Sequence, residues 1–192
     1  MRPNGTQVDG PPSGLPPSAP RRDGGSSTSR WGARVLALLL VLLAVRTWAL
    51  EPVRIPSSSM SPTLVAGDHV LVDKVFPARR TWHRGDVVLF RAPDNGELTI
   101  KRLVGLAGDT VGIRDGLLYV NGAEVSEPYV APGAIDSVYW GPVTVSPGHV
   151  MVLGDNRRNS LDSRAYGGVS VHALEGKVAA VLWPADRIGG VR

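Results

Sequence analysis

The chain has 192 residues, room for one ordinary domain with appendages, and a formal net charge of +4. Most of that excess sits at the front, where Arg2, Arg21, Arg22, Arg30 and Arg34 are offset only by Asp9 and Asp23. A basic head on a near-neutral body argues against a nucleic-acid-binding domain, and the lack of cysteine excludes disulfides, a thiol nucleophile and cysteine-bound zinc.

Residues 1–30 are dominated by Pro, Gly and Ser and have almost nothing to bury, so a disordered tail is predicted. Next comes WGARVLALLLVLLAVRTWALEP. Its uninterrupted apolar run, Val35–Val45, has 11 residues. As a helix that is about 16 Å, short of a ~30 Å hydrocarbon core. Extending it to residues 31–50, with Arg46 snorkelling outward and Trp31 and Trp48 at the interfaces, gives roughly 20 residues, enough for one transmembrane helix. Arginines before the run place the N-terminus in the cytoplasm and the body outside the plasma membrane. A cleaved signal peptide competes, with a basic start, an apolar centre and the small residues Thr47 and Ala49. A buried soluble helix fits less well, because the run is apolar on every face.

From Glu51 onward the helical period disappears. HVLVDKVF, DVVLFRA, LTIKRLVGL, DTVGIRDGLLYVNGAEV, VYWGPVTV, HVMVLG and KVAAVLW are short β-branched runs separated by Gly, Pro and Asp. Gly67-Asp68, Gly85-Asp86 and Gly108-Asp109 open three of them, at unequal spacing, so they read as turns entering strands. Asp115-Gly116 and Asn121-Gly122 are hairpin dipeptides flanking LLYV. The expectation is an all-β domain over residues 52–192 with a small hairpin excursion near 109–127. VAAVLWP is too short for a second span.

No His-Glu-x-x-His pair, Gly-x-Ser-x-Gly elbow or phosphate-cradling glycine loop occurs, and His69, His83, His149 and His172 are scattered without ligand spacing. A metal site is not expected. A histidine-based triad stays formally open, though nothing positions a histidine. Three segments stand out instead. Ser57, Ser58 and Ser59 run between Pro56 and Met60, either as a linker or as the source of a nucleophile. LTIKRLVGL puts Lys101 and Arg102 on opposite faces of one strand, so one of the two faces inward or lies along an edge. A solvated Lys-Arg pair is one reading. The other is a desolvated lysine acting as general base: at the reference pKa of ~10.4 fewer than about one lysine in a thousand is neutral at pH 7, and burial raises that fraction. GDNRRNSLDSR, residues 154–164, is either a solvated loop or a place where Asp155 or Asp162 pairs with Arg102 or Arg164.

PSSSMSPTLVAGDHVLVDK, RGDVVLF, KRLVGLAGDTV and GDNRRNSLDSR follow one another after a single N-terminal span. In that order they resemble the bacterial type I signal peptidases, membrane-bound serine proteases with a Ser/Lys dyad and the β-fold shared with the SOS-repressor proteases. The resemblance covers about residues 35–184. It implies an endopeptidase that needs no cofactor and removes signal peptides from exported preproteins after small residues, at the bilayer and near the export translocon. It further implies Ser59 as nucleophile, Lys101 as general base, Ser57 in the oxyanion hole with the Ser59 N–H, and Ser160 orienting the lysine. Ile55, Met60, Leu64 and Thr99 match substrate-pocket positions; Asp155 with Arg102 and Asp162 with Arg164 match structural ion pairs. Ser58 receives no role, and Arg158 departs from the pattern, which commonly has an acidic residue there.

Two rivals remain. A self-cleaving repressor of related Ser/Lys type would need a DNA-binding head, which the Pro/Gly/Ser-rich start does not supply. A membrane-tethered β-domain without catalysis would have no use for both Ser59 and Lys101.

Overall fold

The computed structural model describes residues 27–74, 81–135 and 139–191. The chain divides into two compact units between Leu39 and Leu40. Helix α1, Ser27–Ala49, covers the apolar run, and its large side chains from Val35 to Leu43 are exposed on every face. Among the described residues no helix is long and apolar enough to cross a membrane; the arginines at 34 and 46 confine the uncharged stretch to Val35–Val45. The predicted disordered tail lies outside the described residues except for 27–30, which are helical.

Apart from one short helix, α2 (Ser163–Tyr166), and four single 3-10 turns among the described residues, the regular structure that follows is β-sheet, all of it antiparallel. The larger sheet runs in the order β1 (Leu50–Arg54), β2 (His69–Asp73), β11 (Leu174–Trp183), β3 (Val87–Arg91), β4 (Leu98–Gly105), β9 (His149–Leu153) and β10 (Val169–Ser170), with β12 (Gly189–Gly190) added to β11. The smaller sheet orders β7 (Ala123–Glu124), β6 (Leu117–Val120), β5 (Thr110–Arg114) and β8 (Trp140–Thr144). It therefore reaches past the hairpin expected near 109–127, because β8 pairs along β5 with Thr110 opposite Thr144. Its turns follow their dipeptides: Asp115 and Gly116, then Asn121 and Gly122, all have positive φ, the twist a two-residue hairpin needs.

The three Gly-Asp dipeptides build one turn three times. Asp68, Asp86 and Asp109 are buried, and each carboxylate accepts the backbone N–H three residues earlier, from Val65, His83 and Leu106 at 2.9, 3.0 and 2.7 Å. A remote cation neutralises each one: Arg187 for Asp68, Lys177 for Asp86 and Arg84 for Asp109. A buried carboxylate is costly unless paired in this way. So these turns tie distant strands together as well as starting the next one.

β4 is an inner strand between β3 and β9, buried on both faces from Ile100 to Gly105. Ile100 packs with Ile55, Met60 and Leu64, Leu103 with Phe90 and Val152, and Val104 with Val111 and Met151. Any polar residue placed in its middle is taken out of water on either side.

Candidate active site

Both cations of β4 are buried, Lys101 at 4% and Arg102 at 1% exposure. The strand's position, with core on each face, removes the choice of one inward and one outward residue that strand alternation alone suggested. The two side chains find different partners. Arg102 donates from Nε and Nη2 to Asp155 at 2.9 and 2.7 Å and from Nη1 to the Gly85 carbonyl at 2.8 Å. Lys101 Nζ donates to Ser59 Oγ at 2.7 Å, a contact between groups 42 residues apart.

The serine run reaches Lys101 because its turn is fastened at both ends. Ile55 N–H donates to the Asp68 carbonyl, and Gly67 N–H to the Ile55 carbonyl, which closes the segment at its base. Met60 and Leu64 sink into the core and hold the turn down. From above, Asn156 N–H donates to the Ser59 carbonyl at 3.0 Å, and Thr63 Oγ1 donates to Asp155 at 2.5 Å. Of the three serines only Ser59 is buried; Ser57 is exposed and donates to Ser59 Oγ at 3.3 Å. Ser58 faces the loop, where its Oγ accepts Asn159 Nδ2 at 2.8 Å.

The 154–164 segment starts where β9 ends, with Leu153 opposite Arg102, and this register delivers Asp155 to the guanidinium. Gly154 passes so close to the serine turn that a Cβ there would sit 2.6 Å from the Ser59 carbonyl oxygen. Asp162 accepts Arg164 Nε and Nη2 at 2.9 and 3.0 Å, and also the Gly154 N–H at 3.0 Å. Burial lowers the pKa of Lys101 from its ordinary value, and the carboxylates of Asp162 and Asp155 partly oppose that. The result is an amine with a larger neutral fraction, in contact with one hydroxyl.

Two expected contacts are not made. Ser160 Oγ is buried without a hydrogen-bond partner among the described residues and makes no bond to Lys101; it lies against Gly154, and the lysine is directed at Ser59 instead. Leu64 is fully buried beneath the turn and does not line the neighbouring cavity. That cavity, about 110 Å³, is bounded by Ile55, Met60 and Thr99, with Val53, Leu89 and Ile100 completing an apolar wall. Arg158 is exposed and donates to the Ile135 carbonyl at 2.9 Å, outside the carboxylate pairs.

Sequence reading missed a third buried pair. Arg157 donates to the Gly154 carbonyl at 2.9 Å and to Glu127 at 2.5 Å, and the Tyr129 ring lies 3.7 Å below the Arg102 guanidinium. Tyr129 donates to the same Glu127 oxygen at 2.8 Å. No spacing or period in the sequence announces these contacts, which bridge from the stretch after β7 to the 154–157 loop. Among the described residues no group of His, Asp and Glu could hold a metal ion.

A family model described as signal peptidase, peptidase S26, matches residues 28–183. A probable signal peptidase I-2 of Synechocystis is 37% identical over 82% of this chain and 74% of its own length. Signal peptidase I of Leptolyngbya laminosa is 33% identical over 96% of this chain and 95% of its own. A solved signal peptidase I structure from Enterococcus faecalis overlays with a TM-score of 0.47 at 36% identity, covering 51% of this chain and 97% of that one.

Proposed function

Because this chain belongs to the signal peptidase family, peptidase S26, whose members are serine endopeptidases, we propose that Ser59 and Lys101 are its catalytic dyad. The observation that carries the reading is the 2.7 Å contact between a buried lysine, its pKa lowered by desolvation, and one serine hydroxyl. With Lys101 neutral, the Ser59 hydroxyl can donate across that same contact. Lys101 takes the proton as Oγ attacks the scissile carbonyl, then passes it to the departing amine. The acyl-enzyme is next hydrolysed by water activated by the same lysine. The Ser59 N–H and the Ser57 hydroxyl would serve as donors to the developing oxyanion, and one such donor typically contributes about 3–4 kcal/mol.

The substrate is a preprotein bound as an added strand along Val53–Pro56 and Leu98–Thr99, by main-chain hydrogen bonds. Ile55, Met60 and Thr99 bound the cavity of about 110 Å³ that admits a small side chain and rejects a large one. Asp155 with Arg102 and Asp162 with Arg164 hold the loop that covers the dyad. No cofactor takes part.

The protein acts from the plasma membrane, held by the segment 31–50, which is α1 up to Ala49, with its N-terminus cytoplasmic, its catalytic domain outside and the export translocon nearby. Support comes from the all-round exposure of Val35–Leu43, a face water does not favour, and from the arginines that precede it. Ser59 follows Leu50 by nine residues, which keeps the dyad on a short tether. Incubating the detergent-solubilised protein with a purified preprotein and sequencing the product's new N-terminus tests the reading. One cut after a small residue is expected; cuts scattered without regard to the preceding side chain would contradict the pocket assignment.

A further inference from the structure

Two cavities meet at Ser59, and they differ in one respect that bears on direction. The apolar cavity described above includes Ser59 but not Lys101. The second, about 340 Å³, shares Ser57, Ser59 and Thr99 with it and adds Lys101, Asn159, Leu161 and Tyr166. Its rim includes Asp94 and Glu97, from the turn that joins β3 to β4. A peptide cut at Ser59 would lie with one flank in each.

Proton transfer assigns the flanks. When the amide C–N bond breaks, the carbonyl carbon stays on Ser59 Oγ, and the nitrogen leaves with the proton that Lys101 took from that oxygen. The leaving nitrogen must therefore come within reach of Nζ, on the side of the cleft where Lys101 forms the wall. Only the second cavity has it there. We infer that this cavity receives the polypeptide downstream of the scissile bond, the first residues of the mature protein, and that Asp94 and Glu97 select basic over acidic side chains in it. The inference rests on the Ser59–Lys101 dyad proposed above.

The charge balance of the rim carries the specificity. Asp68, Asp86, Asp109, Asp155 and Asp162 each face an arginine or lysine, whereas neither Asp94 nor Glu97 has an ion-pair partner among the described residues. The cation beside this turn, Arg91, reaches the Gly96 carbonyl at 3.5 Å but is engaged by Glu175 at 2.8 Å. Both rim carboxylates are exposed, so an incoming chain meets uncompensated negative charge. Deeper in, the Tyr166 hydroxyl is buried and has no hydrogen-bond partner among the described residues. Burial first, then the charges of Asp162 and Asp94, raise its pKa, so it stays protonated as a donor for a substrate carbonyl. Leu161, 61% exposed, supplies apolar contact on the same wall.

The test is a set of synthetic peptides identical up to the scissile bond and carrying Lys, Ala or Asp at the second position after it. The wild-type enzyme should cleave the Lys peptide with roughly three- to tenfold higher kcat/KM than the Asp peptide at low salt, the gap narrowing at ~0.5 M salt. In the double variant Asp94→Lys, Glu97→Lys the order should invert, while Glu124→Gln, remote on the smaller sheet, should leave the ratio as it was. A wild-type enzyme indifferent to this charge, or a preference that the rim reversal leaves intact, overturns the inference. The wild-type ratio and its salt dependence decide the matter even if the double variant fails to fold. The readout is a ratio measured on an active enzyme; failure of the dyad itself shows separately, as activity surviving Ser59→Ala.

Discussion

Lys101 sits in the middle of an inner strand at 4% exposure, where an ammonium ion loses most of its hydration. Burial lowers its pKa, and no acidic group touches Nζ to restore it; Asp162 and Asp155 act only through space. With Lys101 as the proposed base, its neutral amine is the active form, so the rate of acylation should rise with pH through that lowered pKa and fall away in acid. A pH-independent rate between about pH 6 and 9, with chemistry limiting, would point to a different base. Lys101→Arg tests the same idea from the other side. Arginine keeps the charge but cannot deprotonate near neutrality, so cleavage should be lost as fully as in Lys101→Ala. Retained thermal unfolding in the arginine variant separates loss of the base from loss of the fold.

At the scale of elements, the site is the meeting of a serine turn, an inner strand and the loop after β9. Gly154 lies where these touch: an added Cβ would meet Ser160 Oγ at 2.2 Å and the Ser59 carbonyl oxygen at 2.6 Å, and the latter is backbone. Gly154→Ala should therefore displace the serine turn and lower kcat by about tenfold or more, since small misplacement of reacting groups is expensive in rate. Unchanged kcat would show that the turn can yield. Behind the loop, Glu127→Gln should destabilise the domain by about 3–5 kcal/mol, because Arg157, 2% exposed, is left without its carboxylate. A melting temperature equal to wild type would show that water reaches the site. The strands and hairpins behind this geometry were legible in the β-branched runs and in Asp115-Gly116 and Asn121-Gly122. The edge strand β1 was not, since Pro52 and the adjoining apolar run conceal a segment that an edge position tolerates. The serine, lysine and loop motifs pointed to the dyad only jointly, through their order. Glu127 with Arg157, Tyr129 beneath Arg102 and the acidic rim at Asp94 depend on long-range register, which local pattern does not encode.

For the molecule as a whole, the proposed function needs α1 held at the membrane and the β-domain outside it. Five arginines precede the apolar run, and no second apolar stretch of comparable length follows it. The full-length protein should sediment with membranes, with its β-domain open to protease from the outer face of spheroplasts. A mature chain beginning near Leu50 and free in the soluble fraction would instead support the cleaved signal-peptide reading. The central claim, that Ser59 is the nucleophile of a signal peptidase, has a more direct test. It is the cleavage rate of one purified preprotein by the solubilised wild-type, Ser58→Ala and Ser59→Ala proteins, measured side by side. The wild type should cut, Ser58→Ala should retain most of that rate, and Ser59→Ala should lose several orders of magnitude. Ser59→Ala cutting at the wild-type rate would contradict the account.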